Sequence, residues 1–190
     1  MKRIAVLLVL LPASGLAESI APRPMNTHIQ NIISAVGPNW NSSGNFKALL
    51  IREGEFAALY IFRGPYDLAP LVYAPQAAIT GEYWASIPWL EFDEGSALLL
   101  HSENRSHGRN KWENTLTIIE RNNRFIVSAF TLSSYDSLNP DNYTDCTIDM
   151  LAQTMSVNNK PITPFPLPAE IEIKDWSEEI EAVCTTETGN

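Results

Sequence analysis

The sequence predicts a mainly β protein whose antiparallel strands form a meander or sandwich, with short helices near the N- and C-termini. Three observations support this fold class. The stretches 46–63 and 112–133 are each apolar and each contain a short polar turn of the type that joins two strands. Other short apolar runs are bordered by residues that favour turns. Only two segments, one near each end of the chain, have apolar residues at helical spacing.

Residues 1–17 have the features of a cleavable export signal. A basic dipeptide precedes a short apolar run, and Gly15 and Ala17 supply the small side chains of a cleavage site. The run is too short to span a membrane, and we expect no membrane span later in the chain. We therefore expect the mature chain, residues 18–190, to form a single β-rich domain that is periplasmic or secreted from a bacterium.

The chain is acidic, with a formal net charge of −9, which disfavours binding to nucleic acid or anionic membranes. Its two cysteines, Cys146 and Cys184, are predicted to form a disulfide, as is usual in an exported protein. No Cys-x-x-Cys spacing is present, so a structural bridge is favoured over a redox pair. This bridge ties the C-terminal tail, residues 161–190, back to the domain.

A short helix is predicted near the N-terminus, because apolar residues follow the spacing of one helical face: Ile29, Ile32, Ile33 and Val36. The hairpin at 46–63 turns near Glu53-Gly54. Its strands are apolar on both faces, which favours burial between two layers. Two short strands follow at 71–74 and 77–80. Pro70 and Pro75 border them, and these prolines predict either edge strands or the borders of loops.

The stretch 112–133 is predicted to be the central strand pair of the core. It turns at Asn122-Asn123, since asparagine tolerates the left-handed backbone of a two-residue turn. This turn sets Thr117 opposite Ser128, with Phe130 on one face of the pair. The other face is nearly continuous apolar surface: Phe125, Ile118, Val127, Leu116, Ala129 and Trp112.

Polar loops are predicted at 102–110 and 135–145, and both leave the same end of this hairpin, opposite its turn. A strand is predicted near 147–151, and prolines stiffen the stretch 161–168. The segment that begins at Asp175 has the spacing of a helix-capping motif, which predicts a short C-terminal helix. If the protein has a binding site, we expect it where the two polar loops meet.

A set of motifs spans the central hairpin: Gly108-x-x-x-Trp112, Thr115-x-Thr117 and Asn122-Asn123-x-Phe125. Together with Gly95-Ser96-Ala97, it resembles a recurrent β-rich module of bacterial exported proteins that has no established activity. Asn123 stands where that module has glycine. The upstream turn at 52–55 is similar to the acidic turns of integrin-like FG-GAP repeats. The resemblance covers about half of the chain and implies export and a β fold, but no catalytic residues.

Five side chains are candidates for ligand binding: Trp84, Trp89, Arg105, His107 and Arg109. The tryptophans belong to an aromatic cluster at 83–92, which either completes the core or lines a groove for a sugar or peptide. The arginines lie on a loop of an acidic protein. They either bind a carboxylate or phosphate of a partner, or balance neighbouring acidic side chains.

A calcium site is a further candidate, because several oxygen-bearing side chains lie within ten residues: Asp136, Asn139, Asp141 and Asp145. The spacing differs from that of an EF-hand. Asparagine and aspartate also favour turns for backbone reasons alone, so an ordinary loop is the alternative. No other cofactor is expected, since His28, His101 and His107 lack the close spacing of a zinc site.

Catalytic motifs are absent from the sequence. There is no Gly-x-Ser-x-Gly turn, and no pair stands out among the many carboxylates. The sequence therefore favours an exported, non-catalytic protein of the cell envelope that binds a protein or polysaccharide partner. Two alternatives remain open: a periplasmic hydrolase whose site is built from loops, and a structural subunit of an envelope assembly.

Overall fold

The computed structural model describes residues 31–40, 46–64, 67–81 and 86–186. Within these residues eleven strands, β1 to β11, form two antiparallel sheets: Ile32–Trp40, Phe46–Glu53, Phe56–Arg63, Val72–Ile79, Trp89–Phe92, Leu98–Asn104, Asn110–Arg121, Arg124–Asp136, Asn139–Asp149, Thr154–Val157 and Lys160–Pro161. A 3-10 turn at Ile173–Asp175 precedes two short helices, α1 (Glu178–Glu181) and α2 (Val183–Thr186). The predicted mainly β, antiparallel fold is confirmed. No helix in the described part of the chain is long and apolar enough to cross a membrane.

The strands pair in the order of the chain. β1 to β4 form a four-stranded sheet, and β5 to β11 form a seven-stranded sheet. Within each sheet, every strand therefore pairs with its neighbours in sequence, which is the pattern of a meander. The two sheets meet where β1 approaches β5, and there the amide of Leu90 donates a hydrogen bond to Ser34 Oγ at 3.1 Å.

The inner faces of the two sheets share one apolar core. Phe46 of β2 meets Phe125 of β8 edge to face, with 5.1 Å between ring centroids. Leu59 of β3 and Ile118 of β7 are fully buried in the same cluster. Burying a large apolar side chain stabilises a protein by about 1.5–3 kcal/mol. The sheets are therefore held together as a sandwich by side chains from both layers.

The chain after β11 supplies the rest of the inner layer, because four strands cannot cover seven. The amide of Val127 donates to the carbonyl of Ile171 at 2.9 Å, which holds the tail against β8. The Trp176 ring packs on Phe130 with 5.3 Å between centroids. Both tail residues, Ile171 and Trp176, belong to the shared core. The tail is thus an integral part of the sandwich.

The predicted disulfide between Cys146 and Cys184 is confirmed and ties α2 to β9. The bridged residues are separated by 38 positions, and closing a loop of that length stabilises the fold by about 4 kcal/mol through the unfolded state. Ion pairs of Arg124 with Glu170 and Glu172 hold the first part of the tail. A buried disulfide fits a protein that resides outside the reducing cytosol.

The predicted N-terminal helix is wrong for the described residues, since Ile32–Trp40 is strand β1 and pairs with β2. Ile29 lies outside the described residues. Isoleucine and valine favour strands, and pairing with β2 satisfies the backbone while Ile33 and Val36 pack against the core. Contact with a neighbouring strand therefore overrides the helical spacing of these side chains.

The predicted central hairpin is confirmed as β7 and β8. Both turn residues, Asn122 and Asn123, have positive φ angles, 53° and 61°, as a tight two-residue turn requires. The predicted register holds next to the turn. Further along, a β-bulge shifts the pairing, so that Thr117 lies opposite Ala129 rather than opposite Ser128.

The bulge changes which face Phe130 occupies. Phe130 lies opposite Leu116 and is buried in the core, so its predicted placement on the other face is wrong. The Ser128 hydroxyl donates to the carbonyl of Thr117 at 3.2 Å, which stabilises the irregular backbone. One extra residue in a strand reverses every later side chain, and hydrophobic alternation alone does not reveal it.

Two further predictions are corrected by the pairing of the strands. The two strands predicted at 71–74 and 77–80 are a single strand, β4, whose register with β3 shifts around Pro75. β4 lies at the sheet edge, which is one of the two placements that the prolines allowed. The loop predicted at 135–145 is instead most of a hairpin, with β8 and β9 joined at Ser137-Leu138. Its polar composition reflects exposure to solvent along the strands.

Candidate functional site

The outer face of the seven-stranded sheet carries two rows of aligned side chains. Register partners on adjacent strands share a face, so one residue from each of β5 to β9 contributes to the first row: Trp89, His101, Thr115, Thr131 and Thr147. The second row lies beside it on β6 to β9: Glu103, Glu113, Ser133 and Asp145. With Arg105 they line a shallow groove of about 420 Å³, which we call the sheet-face groove.

One end of the sheet-face groove is an aromatic pair. The Trp89 ring stacks on the His101 imidazole, with 4.8 Å between centroids and 14° between ring planes. His101 Nδ1 lies 2.9 Å from Thr115 Oγ1, and His101 Nε2 lies 3.0 Å from Glu91 Oε1. These contacts fix the orientation of Trp89, which is 37% exposed. The indole therefore offers a preoriented apolar surface to a ligand.

The middle of the groove is charged. Glu103 and Glu113 face each other on β6 and β7, and like charges in that position destabilise a sheet. Arg105 relieves this repulsion, because Nε and Nη2 each lie 2.8 Å from one of the carboxylates. The hydrogen bond to Glu113 and the charge of Glu103 raise the pKa of the Arg105 guanidinium, which stays cationic. The groove therefore presents both signs of charge.

The far side of the groove offers further hydrogen-bonding groups. The Ser133 hydroxyl donates to Asp145 Oδ1 at 2.7 Å. The Asp145 amide donates to Asn158 Oδ1 at 2.7 Å, which holds β9 beside the turn that follows β10. Hydroxyl and carboxylate oxygens thus line the groove from the aromatic end to β9, and backbone pairing holds their positions.

Four of the five predicted ligand-binding residues are divided between two places in the structure. The fifth lies outside the described residues. Trp89 and Arg105 lie in the sheet-face groove. His107 and Arg109 lie in the loop at the end of the sandwich. Trp84 falls outside the described residues. Both arginines pair with acidic side chains, as one of the two interpretations of the sequence expected.

The two polar stretches meet at the same end of the central hairpin, as predicted. The buried Asp136 accepts hydrogen bonds from the Arg109 guanidinium and from the Leu138 amide. The hydrogen bond from Arg109 lowers the pKa of the Asp136 carboxyl, although burial opposes the shift. The Ser137 amide also donates to the Arg109 carbonyl at 3.0 Å. These contacts hold the two polar stretches together at this end of the hairpin.

Asn104 gives the loop after β6 its shape. Its side-chain amide donates to the carbonyls of His107 and Asn110 at 2.9 and 3.2 Å, and its oxygen accepts from the His107 amide at 3.0 Å. The His107 ring, in contrast, has an exposed contact with Ser106 at 3.3 Å. A wide depression of about 750 Å³ lies beside this loop. Its lining includes the half-buried Trp112, whereas the sheet-face groove presents the more exposed Trp89 stacked on His101.

The residues predicted to bind calcium do not surround a common point: Asp136, Asn139, Asp141 and Asp145. Asp136 is buried against Arg109, whereas Asp145 lines the sheet-face groove. Asn139 and Asp145 are six residues apart on an extended strand, a separation of roughly 20 Å. In the described ranges, no group of three or more His, Cys, Asp or Glu side chains is arranged to hold a metal ion. Calcium binding stays a prediction, and the positions of these four side chains do not support a shared binding site.

No known protein family, curated protein or solved structure matches this chain. The resemblance to an exported β-rich module and to FG-GAP repeats therefore stays a prediction. The second residue of the central turn has a structural role of its own. Asn123 Oδ1 accepts a hydrogen bond from the Arg63 guanidinium of β3, so the turn is linked to the other sheet. Glycine has no side chain with which to make that link.

The threonines of the first row were not predicted from the sequence. Thr115, Thr131 and Thr147 are spaced sixteen residues apart, as successive strands of a regular meander place them. The sequence feature that could have identified them is a threonine at an outward-facing position on each of β7, β8 and β9. Aligning those positions requires the register of β8, and the bulge shifts that register by one residue.

Proposed function

We propose that this protein is an exported, non-catalytic protein of the cell envelope that binds a polysaccharide on the outer face of its seven-stranded sheet. The proposal depends on one observation. Trp89 is exposed at one end of a polar groove, and stacking on His101 holds its ring in place. A sugar ring has apolar C–H faces and a rim of hydroxyls. An oriented indole beside hydrogen-bonding side chains complements both features.

The rest of the groove supports a sugar ligand because its side chains are donors and acceptors at fixed positions. Carboxylates such as Glu103 and Asp145 accept hydrogen bonds from hydroxyls, and Arg105 donates them. Charge-assisted hydrogen bonds are stronger than neutral ones. The groove therefore offers both of the contact types that a neutral, hydroxyl-rich chain needs.

A protein partner is the less favoured occupant of this face. Protein interfaces depend on a central, fully desolvated apolar cluster, whereas the middle of this groove contains Arg105, Glu103 and Glu113. Peptides that add to a sheet bind along its edge. The groove crosses the middle of the sheet, where every strand from β6 to β9 is already paired on both sides.

The charge of the groove narrows the class of polysaccharide. Glu103, Glu113 and Asp145 outnumber the single arginine, Arg105, along its lining. The whole chain is also acidic, with a net charge of −9. Acidic polysaccharides are repelled under these conditions. Neutral or amine-bearing glycans are therefore the expected ligands.

The test is retention of the mature protein on insoluble cellulose, chitin and chitosan, with the acidic polymer alginate for comparison. We expect retention on at least one of the first three, at least tenfold weaker retention of Trp89→Ala, and none on alginate. Ile87→Ala is the matched control, because Ile87 is exposed on the segment that leads into β5 but does not line the groove. Failure of all three polymers to retain the protein contradicts the proposal.

The same mixtures test the hydrolase alternative. Glu103 and Glu113 are cross-strand partners, and paired carboxylates are the catalytic groups of most glycoside hydrolases. Release of soluble reducing sugar, abolished by Glu113→Gln, favours hydrolysis over simple binding. We expect no release, because both carboxylates are bound to Arg105.

A further inference from the structure

The sheet-face groove continues beyond its polar rows toward two exposed tyrosines. Arg105, Glu113 and Ser133 line both the groove and a neighbouring depression of about 290 Å³ that reaches Tyr135. Tyr135 in turn lies directly opposite Tyr143 of the neighbouring strand β9, on the same outer face. One connected surface therefore runs from Trp89 to the β8–β9 turn.

The two tyrosines form a pair on the same face as the groove. Tyr135 of β8 and Tyr143 of β9 are register partners, and Lys111 of β7 lies beside them. Their exposed fractions, 48% and 46%, are similar to each other and exceed that of Trp89. The surface thus has an aromatic contact at each end and charged or hydroxyl side chains between them.

The separation of the aromatic ends follows from the strand pairing. Trp89 aligns with Thr147 across the sheet, and Tyr143 lies four residues from Thr147 along β9. With a spacing of ~4.8 Å between strands and ~3.4 Å between residues, Trp89 and Tyr143 are roughly 23 Å apart. A monosaccharide or disaccharide cannot reach both ends. An extended chain of several sugars can.

Both aromatic ends of this surface are exposed to solvent, since Trp89, Tyr135 and Tyr143 each keep more than a third of their surface accessible. Trp89 lies on β5, the edge strand of the seven-stranded sheet. Tyr135 and Tyr143 lie next to the turn between β8 and β9. A chain that crosses the face can therefore extend past both aromatic ends. This geometry suits an internal segment of a polymer better than a chain terminus.

We propose that the outer face binds an internal segment of an extended polysaccharide through two aromatic sites, Trp89 at one end and the Tyr135–Tyr143 pair at the other. This inference rests on the proposed function and adds the length of the ligand and a second recognition site. The two sites are linked by one ligand, so the second contact forms at high effective concentration once the first is made. Affinity therefore increases with chain length until both sites are filled, and then becomes constant.

The test measures affinity by calorimetry for three series of oligosaccharides, from disaccharide to octasaccharide: cello-oligosaccharides, chito-oligosaccharides and the deacetylated, amine-bearing form of the latter. For the wild-type protein we expect affinity to rise by about tenfold or more between the shortest and longest members. The double substitution Tyr135→Ala with Tyr143→Ala should remove this increase, because only one aromatic site is left for a ligand of any length. Trp89→Ala should weaken binding at every length.

The conservative control is Tyr135→Phe with Tyr143→Phe, which keeps the aromatic faces and should keep the increase with length. Affinity that does not depend on length, or a length dependence that survives the double alanine substitution, overturns this inference but leaves the proposed function intact. Absence of binding by all three series at every length overturns the proposed function itself. The two failures are therefore distinguishable in one experiment.

Discussion

The outer faces of the two sheets differ in chemistry. On the seven-stranded sheet, hydroxyl, carboxylate and exposed aromatic side chains line an open groove. On the four-stranded sheet, the side chains that point away from the shared core are themselves buried and apolar: Ile51, Ala58, Tyr60 and Phe62, with Leu49 and Tyr73 packed against them. The four-stranded sheet is therefore apolar on both sides, as the sequence of its hairpin predicted.

This difference assigns separate roles to the two sheets. A strand buried on both faces has nearly continuous apolar sequence, and every residue of β3 from Ala57 to Phe62 is buried. A strand with one face in solvent alternates instead, as β6 does along its length. The first sheet contributes stability through two buried faces. The second contributes one face to the core and leaves the other available for a ligand.

The buried outer cluster contains one polar element. The hydroxyls of Tyr60 and Tyr73 donate to the two carboxylate oxygens of Glu53, at 2.7 and 2.8 Å. Burial raises the pKa of the Tyr60 hydroxyl, and the nearby Glu53 carboxylate raises it further. Buried polar groups need such partners, since an unsatisfied one costs about 1–3 kcal/mol. The groups are satisfied by one another and form a structural network.

The largest expected effect comes from substituting an equivalent outward-facing aromatic on each sheet. Phe62→Ala removes a fully buried ring and should lower the free energy of unfolding by about 3–5 kcal/mol. Tyr143→Ala, on the open face, should change it by about 0.5 kcal/mol or less. Urea denaturation of both variants measures the contrast. Equal losses would show that the two faces do not differ in the way described.

A somewhat smaller effect is expected from removing the disulfide behind the open face. Cys146→Ser with Cys184→Ser should lower the free energy of unfolding by about 3–4 kcal/mol, because the unfolded chain regains the freedom of the closed loop. Retention on the polysaccharide should persist in the folded fraction, since the groove side chains are held by strand pairing. If the variant lost retention but kept its stability, the disulfide would be needed for binding and not for stability, which contradicts this expectation.

The smallest effect concerns pH and tests the buried cluster. The folded-state pKa of Tyr60 lies above the unfolded value of about 10. Its contribution to stability is therefore fully present below that pH and is lost as the pH rises above it, because the unfolded state releases the proton first. Stability measured across this alkaline range should fall less steeply for Tyr60→Phe than for the wild type. Parallel curves for the two proteins would exclude this linkage.

Local signals predicted those elements in which chain geometry and burial agree. The Asn122-Asn123 turn was predictable, because few residues adopt two successive positive φ angles. The disulfide was predictable because Cys146 and Cys184 are the only cysteines of a chain with an export signal pattern. The predicted helix at Ile32 and Val36 failed because the spacing fits a helix, whereas contact with β2 favours a strand.

The candidate site was only half predictable. Trp89 was identifiable as part of an aromatic cluster of either core or groove, and Arg105 as a loop cation, and both line the groove. Their neighbours Thr115, Thr131 and Thr147 come from three different strands and depend on register for their alignment. A single bulge is enough to move such residues to the opposite face.

The sequence by itself determined the β fold class, the central turn, the cysteine pair and the two-sided burial of the strands at 46–63. Each of these follows from short-range chemistry: turn conformations, residue alternation and the pairing of two thiols. Only the tertiary structure decided that residues 32–40 form a strand, that the tail completes the inner layer, and that Trp89 heads a groove across five strands. These features depend on which strand lies beside which and in what register, and that is set by the packing of the whole core.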